Sequence, residues 1–268
     1  MLLSAGRPIR QSRRVQLFSY CWAVWTALAV IAVVCAFWHW GSLMLGDIVL
    51  PGPVTVFKLS IELLRNYETA EIPHTLFRAS IAISAAVVTG VALGLLTGLS
   101  KTLALFCRPI ISILLGTPPI IWVVLAIFWF STGDSSAIFT TYIAVTPLMF
   151  ASALQSMLSI DRNFEEVMRV YKVSYARRIH HLYWPHLLNQ LLPAFNIAFA
   201  SGLKIAIMAE LLGTADGIGA QIGLARTMLE TDVVMAYIVI LLLIIYLVEY
   251  LFIEPLKIIF LPWAQRRG

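Results

Sequence analysis

The stretch SIDRNFEEVMRVYKVSYARRIHHLYWP, residues 159–185, is the only long polar run that follows the N-terminal segment, and strongly apolar sequence lies on both sides of it. It carries eight charged side chains: Asp161, Arg162, Glu165, Glu166, Arg169, Lys172, Arg177 and Arg178. Of the 268 residues, 60% are hydrophobic and only 12% are charged, and the mean hydropathy is +0.87. Soluble domains contain about 25% charged residues, so this chain has too few charges to cover a globule of its size. The composition therefore predicts an integral membrane protein.

The apolar runs predict an all-α polytopic protein with about six transmembrane helices in one domain. A helix needs about 20 residues to cross a hydrocarbon core of about 30 Å, because unpaired backbone groups are not tolerated in lipid. The predicted spans are residues 16–40, 76–100, 104–130, 137–158, 187–212 and 233–261. The first run is longer than the apolar core of a signal peptide, and no small-x-small cleavage site follows it, so we predict an uncleaved helix.

The distribution of Lys and Arg predicts the orientation in the membrane. With a cytoplasmic N-terminus, the outer segments hold only Lys58, Arg65 and Arg226. The inner segments then hold most of the basic residues: Arg7, Arg10, Arg13, Arg14, Lys101, Arg162, Arg169, Lys172, Arg177, Arg178, Arg266 and Arg267. This bias predicts that both termini lie in the cytoplasm. The net charge of +5 is explained by these loops, so no nucleic-acid partner is predicted.

The spans and their orientation give the predicted organisation of the chain. Residues 1–15 form a cytoplasmic N-terminal segment, 16–40 the first transmembrane helix, and 41–75 an extracytoplasmic segment. Within that segment, residues 53–65 alternate apolar and charged side chains in a pattern that suits an amphipathic helix lying on the membrane surface. A core domain, 74–262, contains the polar loop 159–185.

Two features of the core concern helix packing. Gly90, Gly94 and Gly98 form a stripe of small residues that lets two helix backbones approach closely, and we predict that they pack within the chain rather than across a dimer. Arg78, near the outer end of the same span, can extend its head group to the membrane interface, so we assign it no functional role.

The third span is interrupted by Gly116-Thr117-Pro118-Pro119. Proline removes a backbone donor, so the pair Pro118 and Pro119 predicts a kink or break in the helix. Broken backbone at membrane depth is tolerated only where protein buries it or where it lines a water-filled cavity. The break is either structural or part of a transport pathway.

No motif in the chain predicts catalysis or metal binding. Gly94, Gly98, Lys101 and Thr102 lack the spacing of a phosphate-binding loop, and no adjacent Gly-Lys pair follows at the required distance. The glycines of residues 217–223 lack the spacing and the βαβ context of a dinucleotide-binding motif. The three cysteines and the histidines show no ligand spacing, so we predict no metal, no catalytic residue and no cofactor bound by this chain.

The polar loop itself is predicted to form two short helices. Asn163 can cap the first, whose early acids Glu165 and Glu166 suit the helix dipole. Phe164, Val167, Met168 and Tyr171 then recur at helical spacing and form one apolar face. Ser174 can cap a second helix from residue 175 towards 183, which Pro185 is predicted to stop.

This loop resembles the coupling loop of the permeases of ATP-binding-cassette (ABC) importers of type I, whose form is roughly E-a-A-R-x-x-G-A-S, about ten residues, then L-P. Glu166, Arg169, Ser174 and Pro185 match that form. Two further stretches resemble the nitrate/sulfonate/taurine branch: Trp129-Phe130-Ser131-Thr132-Gly133-Asp134, and Ala209-Glu210-Leu211-Leu212-Gly213 through Gly217-Ile218-Gly219, followed by Glu230-Thr231-Asp232-Val233. Together they cover most of residues 74–262.

The resemblance implies a permease of the bacterial inner (plasma) membrane that forms the substrate pathway and leaves ATP hydrolysis to partner chains. The implied partners are a second permease copy in a homodimer, two cytoplasmic ATPase subunits that hold ATP and Mg, an extracytoplasmic substrate-binding protein and membrane lipid. The residues implied to dock the ATPase are Glu165, Glu166, Arg169, Lys172 and Ser174. The implied substrate is a small anionic solute such as a sulfonate, nitrate or bicarbonate, although related permeases carry pyrimidines and aromatic acids.

The loop departs from the family form at its turn, where Lys172 replaces the glycine and Met168 the second alanine; Trp184-Pro185 replaces Leu-Pro. Glycine permits a sharp turn because it adopts positive φ without a Cβ penalty. With lysine there, either the turn is built differently or the partner subunit offers a matching acidic pocket.

Two charges lie inside the fifth span, where ionisable groups are costly and often mark pathways or pairs. Glu210 matches a family position before a glycine-rich loop and is expected to act as a gate or a structural anchor held by loop amides. Lys204 either offers positive charge to an anionic substrate or pairs with a carbonyl or an acid on another helix. With these two we group Pro118, Pro119, Gly217 and Gly219 as pathway or gate candidates.

Two other functions remain alternatives at this point. A stand-alone secondary transporter or channel of the inner membrane is one, although no internal repeat is evident. A membrane scaffold that transports nothing is the other. Neither of these two functions requires a coupling loop at this position in the chain.

Overall fold

The structure is a computed structural model that describes residues 3–4, 7–8, 13–160 and 162–255, with only the backbone described at some positions inside helices. Two short antiparallel strands open it, β1 (Leu3–Ser4) and β2 (Arg7–Pro8). Helices account for nearly all of the rest: α1 (Arg13–Leu45), α2 (Pro53–Arg65), α3 (Ile72–Gly98), α4 (Lys101–Gly116), α5 (Pro119–Phe130), α6 (Asp134–Leu158), α7 (Arg162–Val170), α8 (Tyr175–Arg178), α9 (Trp184–Gly213), α10 (Ile218–Met228) and α11 (Thr231–Val248). π-helical turns at Ile179–Tyr183 and Glu249–Ile253 precede α9 and follow α11.

The described residues contain five helices that are long and apolar enough to cross a membrane, namely α1, α3, α6, α9 and α11. A sixth span is possible if α4 and α5 are counted together, since they are joined by a bend of 89°. The predicted all-α polytopic fold is thus confirmed. The observed helices extend several residues beyond some predicted spans, as in α1 and α3. The predicted end of the last span, residues 256–261, lies outside the described residues.

The glycine stripe on α3 packs against α6, which confirms the predicted role within the chain. A Cβ added to Gly90 would come within 2.8 Å of the Thr146 carbonyl oxygen, and one added to Gly94 within 2.5 Å of the Phe150 carbonyl oxygen. A Cβ on Gly98 would meet the Met157 Cβ at 2.6 Å. Only glycine lets the two backbones approach this closely, so the stripe fixes α3 against α6 along its C-terminal half.

The centre of the bundle is formed by α3, α6 and α9, whose buried faces are built from small and branched side chains. Ala86 of α3, Val145 of α6 and Ala198 of α9 belong to one fully buried cluster. In a second cluster, Ile83 of α3 packs against Leu203 of α9. Small residues let membrane helices pack by close van der Waals contact. The α3–α4 connection and residues 159–183 lie at one end of this bundle, which we name the loop end.

The amphipathic helix predicted at residues 53–65 is present as α2 over the same residues, at the end of the bundle opposite the loop end. Its inner face is buried against α11: Val56 is fully buried, and the Ser60 hydroxyl donates to the Ala236 carbonyl oxygen at 3.3 Å. The helix is therefore packed on the bundle rather than resting on a membrane surface alone. In contrast, α1 is mostly exposed along its described length, and the Trp38 indole Nε1 donates to the Pro51 carbonyl oxygen at 3.0 Å.

Candidate functional sites

The polar loop forms a compact element at the loop end. Ser159 links the start of the loop to α9. The Ser159 hydroxyl lies 2.9 Å from His186 Nε2 and accepts a hydrogen bond from Gln190 Nε2 at 2.8 Å. Two predicted details of the loop are wrong. The helix α7 begins at Arg162, so Asn163 lies in its first turn instead of capping it. Pro185 does not end a helix, because residues 175–213 stay helical and the proline follows the π-helical turn Ile179–Tyr183.

The apolar face of α7 is exposed rather than packed under the bundle. The exposed fractions of Phe164, Val167 and Tyr171 are 61%, 51% and 78%. Exposed apolar side chains of this size on a polar loop are typical of a surface that a partner protein covers.

The turn between α7 and α8 places Lys172 in the left-handed region, with φ of 51°. The Val173 N–H donates back to the Met168 carbonyl oxygen at 3.0 Å, the hydrogen bond that closes a Schellman-type helix end. Arg178 Nε also donates to the Val173 carbonyl oxygen at 2.8 Å. The turn is thus the one that a glycine would make, so the first of the two alternatives, a turn that is built differently, is wrong. The lysine instead adopts a backbone conformation that costs about 1–2 kcal/mol for a residue with a Cβ.

Replacing Lys172 with glycine is therefore expected to stabilise the end of α7. Hydrogen exchange of the α7 amides should slow by roughly fivefold, which corresponds to about 1 kcal/mol. Lys172→Ala is the matched control, because it removes the charge and keeps the Cβ, and it should give no slowing. Equal slowing in both variants would show that the lysine charge, not its backbone, destabilises the turn.

The residues predicted to dock the ATPase lie on this loop. Glu166, Lys172 and Ser174 are exposed. Glu165 and Arg169 lie on the backbone of α7, and their side chains are outside the described residues.

At the opposite end of the bundle, the Arg78 side chain is buried and surrounded by acids. Its exposed fraction is 2%, so the prediction that it extends to the membrane interface is wrong. Arg78 Nη1 donates to Glu210 Oε1 at 3.0 Å, Nε donates to Asp134 Oδ1 at 2.8 Å, and Nη2 donates to Asp216 Oδ1 at 2.5 Å. Nη2 also contacts Asp134 Oδ1. A single guanidinium thus joins α3 to the first turn of α6, to α9 and to the α9–α10 turn.

Glu210, which is fully buried, accepts hydrogen bonds from three residues that belong to two helices, α3 and α10. Besides Arg78, the Thr75 hydroxyl donates to its Oε2 at 2.6 Å and the Gly219 N–H donates to the same oxygen at 3.1 Å. The Thr75 hydroxyl oxygen in turn accepts from the Ile218 N–H at 2.8 Å. The carboxylate is therefore paired and hydrogen-bonded, as a buried charge must be. The one backbone amide that contributes belongs to the first turn of α10 rather than to a loop, and two side chains that the sequence did not reveal complete the set.

Gly217 and Gly219 allow the start of α10 to approach Glu210. Gly217 has φ of +95°, and a Cβ there would lie 2.6 Å from the Glu210 carboxylate. A Cβ on Gly219 would lie 2.5 Å from the Glu210 Cβ and would also collide with the Ile207 carbonyl oxygen. Both positions accordingly require glycine, which lacks the clashing atom.

We name Arg78, Glu210, Asp134, Asp216 and Thr75 the charge cluster. Asp134 and Asp216 are 62% and 45% exposed, so the cluster is buried on one side and open to solvent on the other. The Arg78 guanidinium, which donates to Asp216, holds the pKa of that carboxyl below its ordinary value. A backbone hydrogen bond lies beside the cluster, where the Gly133 N–H donates to the Gly213 carbonyl oxygen at 2.7 Å. The arrangement fixes four chain segments to one another at this end of the bundle.

The proline pair interrupts the helix between α4 and α5, as predicted. Pro118 adopts φ of −58° and ψ of 134°, and α5 starts at Pro119 after the 89° bend. Beyond the break, α5 packs Val123 against Ala137 of α6 and Ala209 of α9. The break thus turns α5 onto the two central helices.

Lys204 lies on α9, nine residues before Gly213, or about 14 Å along the helix axis. Its side chain is exposed, and no hydrogen bond or ion pair to it is found among the residues that the structure describes. It precedes Glu210 by six residues, or about 9 Å along the axis of α9. A lysine at the centre of a membrane helix costs about 2.5–3.5 kcal/mol in lipid. This cost argues that the Lys204 face of α9 meets water or another chain.

The fold and the loop define a polytopic membrane transport subunit. The family model described as binding-protein-dependent transport system inner membrane component matches residues 86–254, and this chain belongs to that family.

The relatives that the chain matches are transport permeases. The taurine transport system permease protein TauC of Escherichia coli (strain K12) is 30% identical over 70% of this chain and 68% of that protein. The nitrate import permease protein NrtB of Synechocystis sp. is 27% identical over 81% and 82%. The bicarbonate transport system permease protein CmpB of Synechococcus elongatus is 29% identical over 59% and 58%.

Solved structures show the same fold. The MetNI methionine ABC transporter in an inward-facing conformation matches with a TM-score of 0.61 at 20% identity, covering 69% of this chain and 92% of that one. An amino acid ABC transporter matches with a TM-score of 0.54 at 17% identity, covering 72% and 96%.

The chain is therefore the permease component of an ABC importer in the inner membrane, a multi-pass subunit whose role is transport rather than catalysis. Membership in a binding-protein-dependent system implies an ATPase and a substrate-binding protein as partners. It also excludes the alternatives of a stand-alone transporter, channel or scaffold.

Proposed function

We propose that this permease imports a small solute that bears an oxyanion group, such as a sulfonate, nitrate or bicarbonate. The relatives named for taurine, nitrate and bicarbonate support this class, since each of those compounds carries such a group. The observation that carries the proposal within the chain is Lys204, an exposed cation inside a membrane helix without a partner among the described residues. A cation held in a pathway attracts an anion more strongly than in bulk water, because the surroundings are less polar.

The pathway is proposed to form between two copies of the chain, arranged as a homodimer. The Lys204 face of α9 and the break at Pro118 and Pro119 would line it. Glu210, Gly217 and Gly219 would hold its end opposite the coupling loop as a gate or anchor. The supporting observation is that the charge cluster fixes the α9–α10 turn to α3 and α6 there.

Docking of the ATPase is proposed to use the coupling loop within the core domain 74–262. The exposed apolar face of α7 would be covered by the ATPase, with Glu165, Glu166, Arg169, Lys172 and Ser174 around it. Two ATPase subunits, which hold ATP and Mg, would bind the two loops. The loop end, and with it residues 1–15, would then lie in the cytoplasm, and residues 41–75 and the charge cluster would face the binding protein.

Lys204→Ala tests the substrate class. We expect uptake of an alkanesulfonate to fall by roughly tenfold or more in proteoliposomes that contain the permease, its ATPase and its binding protein, since a charge-assisted contact is worth about 1.5–3 kcal/mol. Lys204→Arg should retain most of the uptake because it keeps the charge. Lys101→Ala, which removes an exposed lysine at the loop end, is the control. Wild-type uptake by Lys204→Ala, or equal uptake of a neutral solute by the wild type, would contradict the proposal.

A further inference from the structure

A groove of about 560 Å³ lies between the end of α9 and α10. Its volume falls in the range of about 300–1,000 Å³ that is typical of small-molecule sites. The residues that line it include Leu211, Leu212, Leu224, Thr214, Gln221 and Arg226. It is thus a defined concavity at the same end of the bundle as the charge cluster, and none of the roles assigned above uses it.

The polar groups of the groove are suited to an anion. Arg226, in the last turn of α10, is exposed, and neither it nor the Gln221 amide has a hydrogen-bond or ion-pair partner among the described residues. The Thr214 hydroxyl donates to the Asp216 carbonyl oxygen at 2.7 Å, which fixes its position at the rim. Guanidinium and amide N–H groups are the donors that bind planar or tetrahedral oxyanions with directional hydrogen bonds.

No acidic side chain is present among the described residues that line this groove. Glu210 and Asp216, which adjoin the start of the groove in sequence, are both bound to Arg78 in the charge cluster. Glu230 follows Arg226 by four residues, and no ion pair joins the two among the described residues. The positive charge of Arg226 is therefore left available to a ligand.

The apolar wall of the groove limits the ligand further. Leu212 and Leu224 are about half exposed, with exposed fractions of 49% and 50%, and they flank the polar groups. A bare inorganic ion would leave this wall in contact with water, whereas a ligand with a short hydrocarbon part would cover it.

We propose that the α9–α10 groove is an entry subsite for an oxyanion that carries a short apolar group, with Arg226 and Gln221 binding the oxyanion and the leucines its hydrocarbon part. This deepens the proposed function and rests on it. Helical geometry supports a path from the groove to Lys204: Leu211 follows Lys204 by seven residues, so it lies on the same face of α9, about 10.5 Å along the axis. An anion leaving the groove would thus meet Lys204 next.

The test measures binding of alkanesulfonates, from methanesulfonate to butanesulfonate, to the intact permease–ATPase complex in nanodiscs by titration calorimetry. A Lys204→Ala background removes the second proposed site. In that background we expect affinity to rise roughly fourfold for each added methylene. Arg226→Gln should weaken butanesulfonate binding by about tenfold or more. Arg65→Gln, which removes an exposed arginine of α2 outside the groove, should leave it unchanged.

Three outcomes would overturn the subsite: no binding by the Lys204→Ala complex, equal binding by Arg226→Gln and Arg65→Gln, or an affinity for inorganic sulfate equal to that for butanesulfonate. These outcomes are separable from failure of the proposed function, which would appear as ATP-driven uptake that excludes every oxyanion. If oxyanions are imported and Arg226→Gln binds like the parent, only the groove assignment is wrong.

Discussion

Replacing Arg78 with alanine is expected to lower the apparent melting temperature of the purified permease by on the order of 10 °C. The substitution leaves Glu210 buried with only the Thr75 hydroxyl and the Gly219 N–H as partners. Breaking a buried pair by removing one member costs about 3–5 kcal/mol, because the remaining charge stays desolvated, and each kcal/mol shifts the melting temperature of a protein of this size by about 2–4 °C. Thermal unfolding in a fixed detergent measures the change.

Two further variants show whether the effect comes from the buried charge. Arg65→Ala removes an exposed arginine at the end of α2 and should change the melting temperature by no more than about 2 °C. Arg78→Met combined with Glu210→Gln removes both charges and should recover much of the loss, because no uncompensated charge is left. If Arg78→Ala behaves like Arg65→Ala, the charge cluster does not hold this end of the bundle together.

Phe164→Asp is expected to abolish co-purification of the permease with its ATPase. The Phe164 ring is 61% exposed on α7 and would be covered by the partner. Anchoring side chains at the centre of an interface contribute about 2–4 kcal/mol, and an unpaired carboxylate adds a desolvation cost, so affinity should fall by at least about 100-fold. Pull-down from solubilised membranes measures the loss.

The matched control is Tyr67→Asp, which changes an aromatic side chain that is 51% exposed at the opposite end of the bundle. It should leave ATPase binding intact. The melting temperature of the isolated Phe164→Asp permease should match that of the wild type, since the ring contributes little to the core. Normal ATPase binding by Phe164→Asp would show that the apolar face of α7 is not the docking surface.

Features encoded by local spacing were predictable from the sequence. The glycine stripe on α3, the helix over residues 53–65 and the break at Pro118 and Pro119 each arise from residues that are close together in the chain. Their physical causes are backbone approach, helical periodicity and the missing proline donor, and these act over a few residues. The structure agrees at all three places.

The charge cluster was not predictable in the same way. Arg78 is separated from Asp134 by 56 residues and from Asp216 by 138, so no spacing rule joins them. Reading Arg78 as an interfacial side chain assumed that its head group reaches water. One signal was available in the sequence: Arg78 lies inside a predicted span, and acidic residues lie at the ends of two other spans. Deciding which of these charges form pairs requires knowledge of how the helices pack.

The coupling loop was predictable from the sequence only in part. The sequence identified Lys172 as the residue at the turn but could not decide whether the turn changes, because a lysine at positive φ costs little enough to be held by the surrounding hydrogen bonds. The apolar face of α7 was predicted correctly from the spacing of its residues. It could not show what covers that face, since the covering surface belongs to another chain.

ATP-driven accumulation of an alkanesulfonate in proteoliposomes decides whether the chain works as proposed. The vesicles would contain the permease, its ATPase and its binding protein. The permease would be oriented with its coupling loop and the bound ATPase inside the vesicle, where ATP is trapped. We expect accumulation against a gradient that requires hydrolysable ATP and is lost in Phe164→Asp. Accumulation that continues without ATP or without the ATPase subunit would contradict the proposed mechanism.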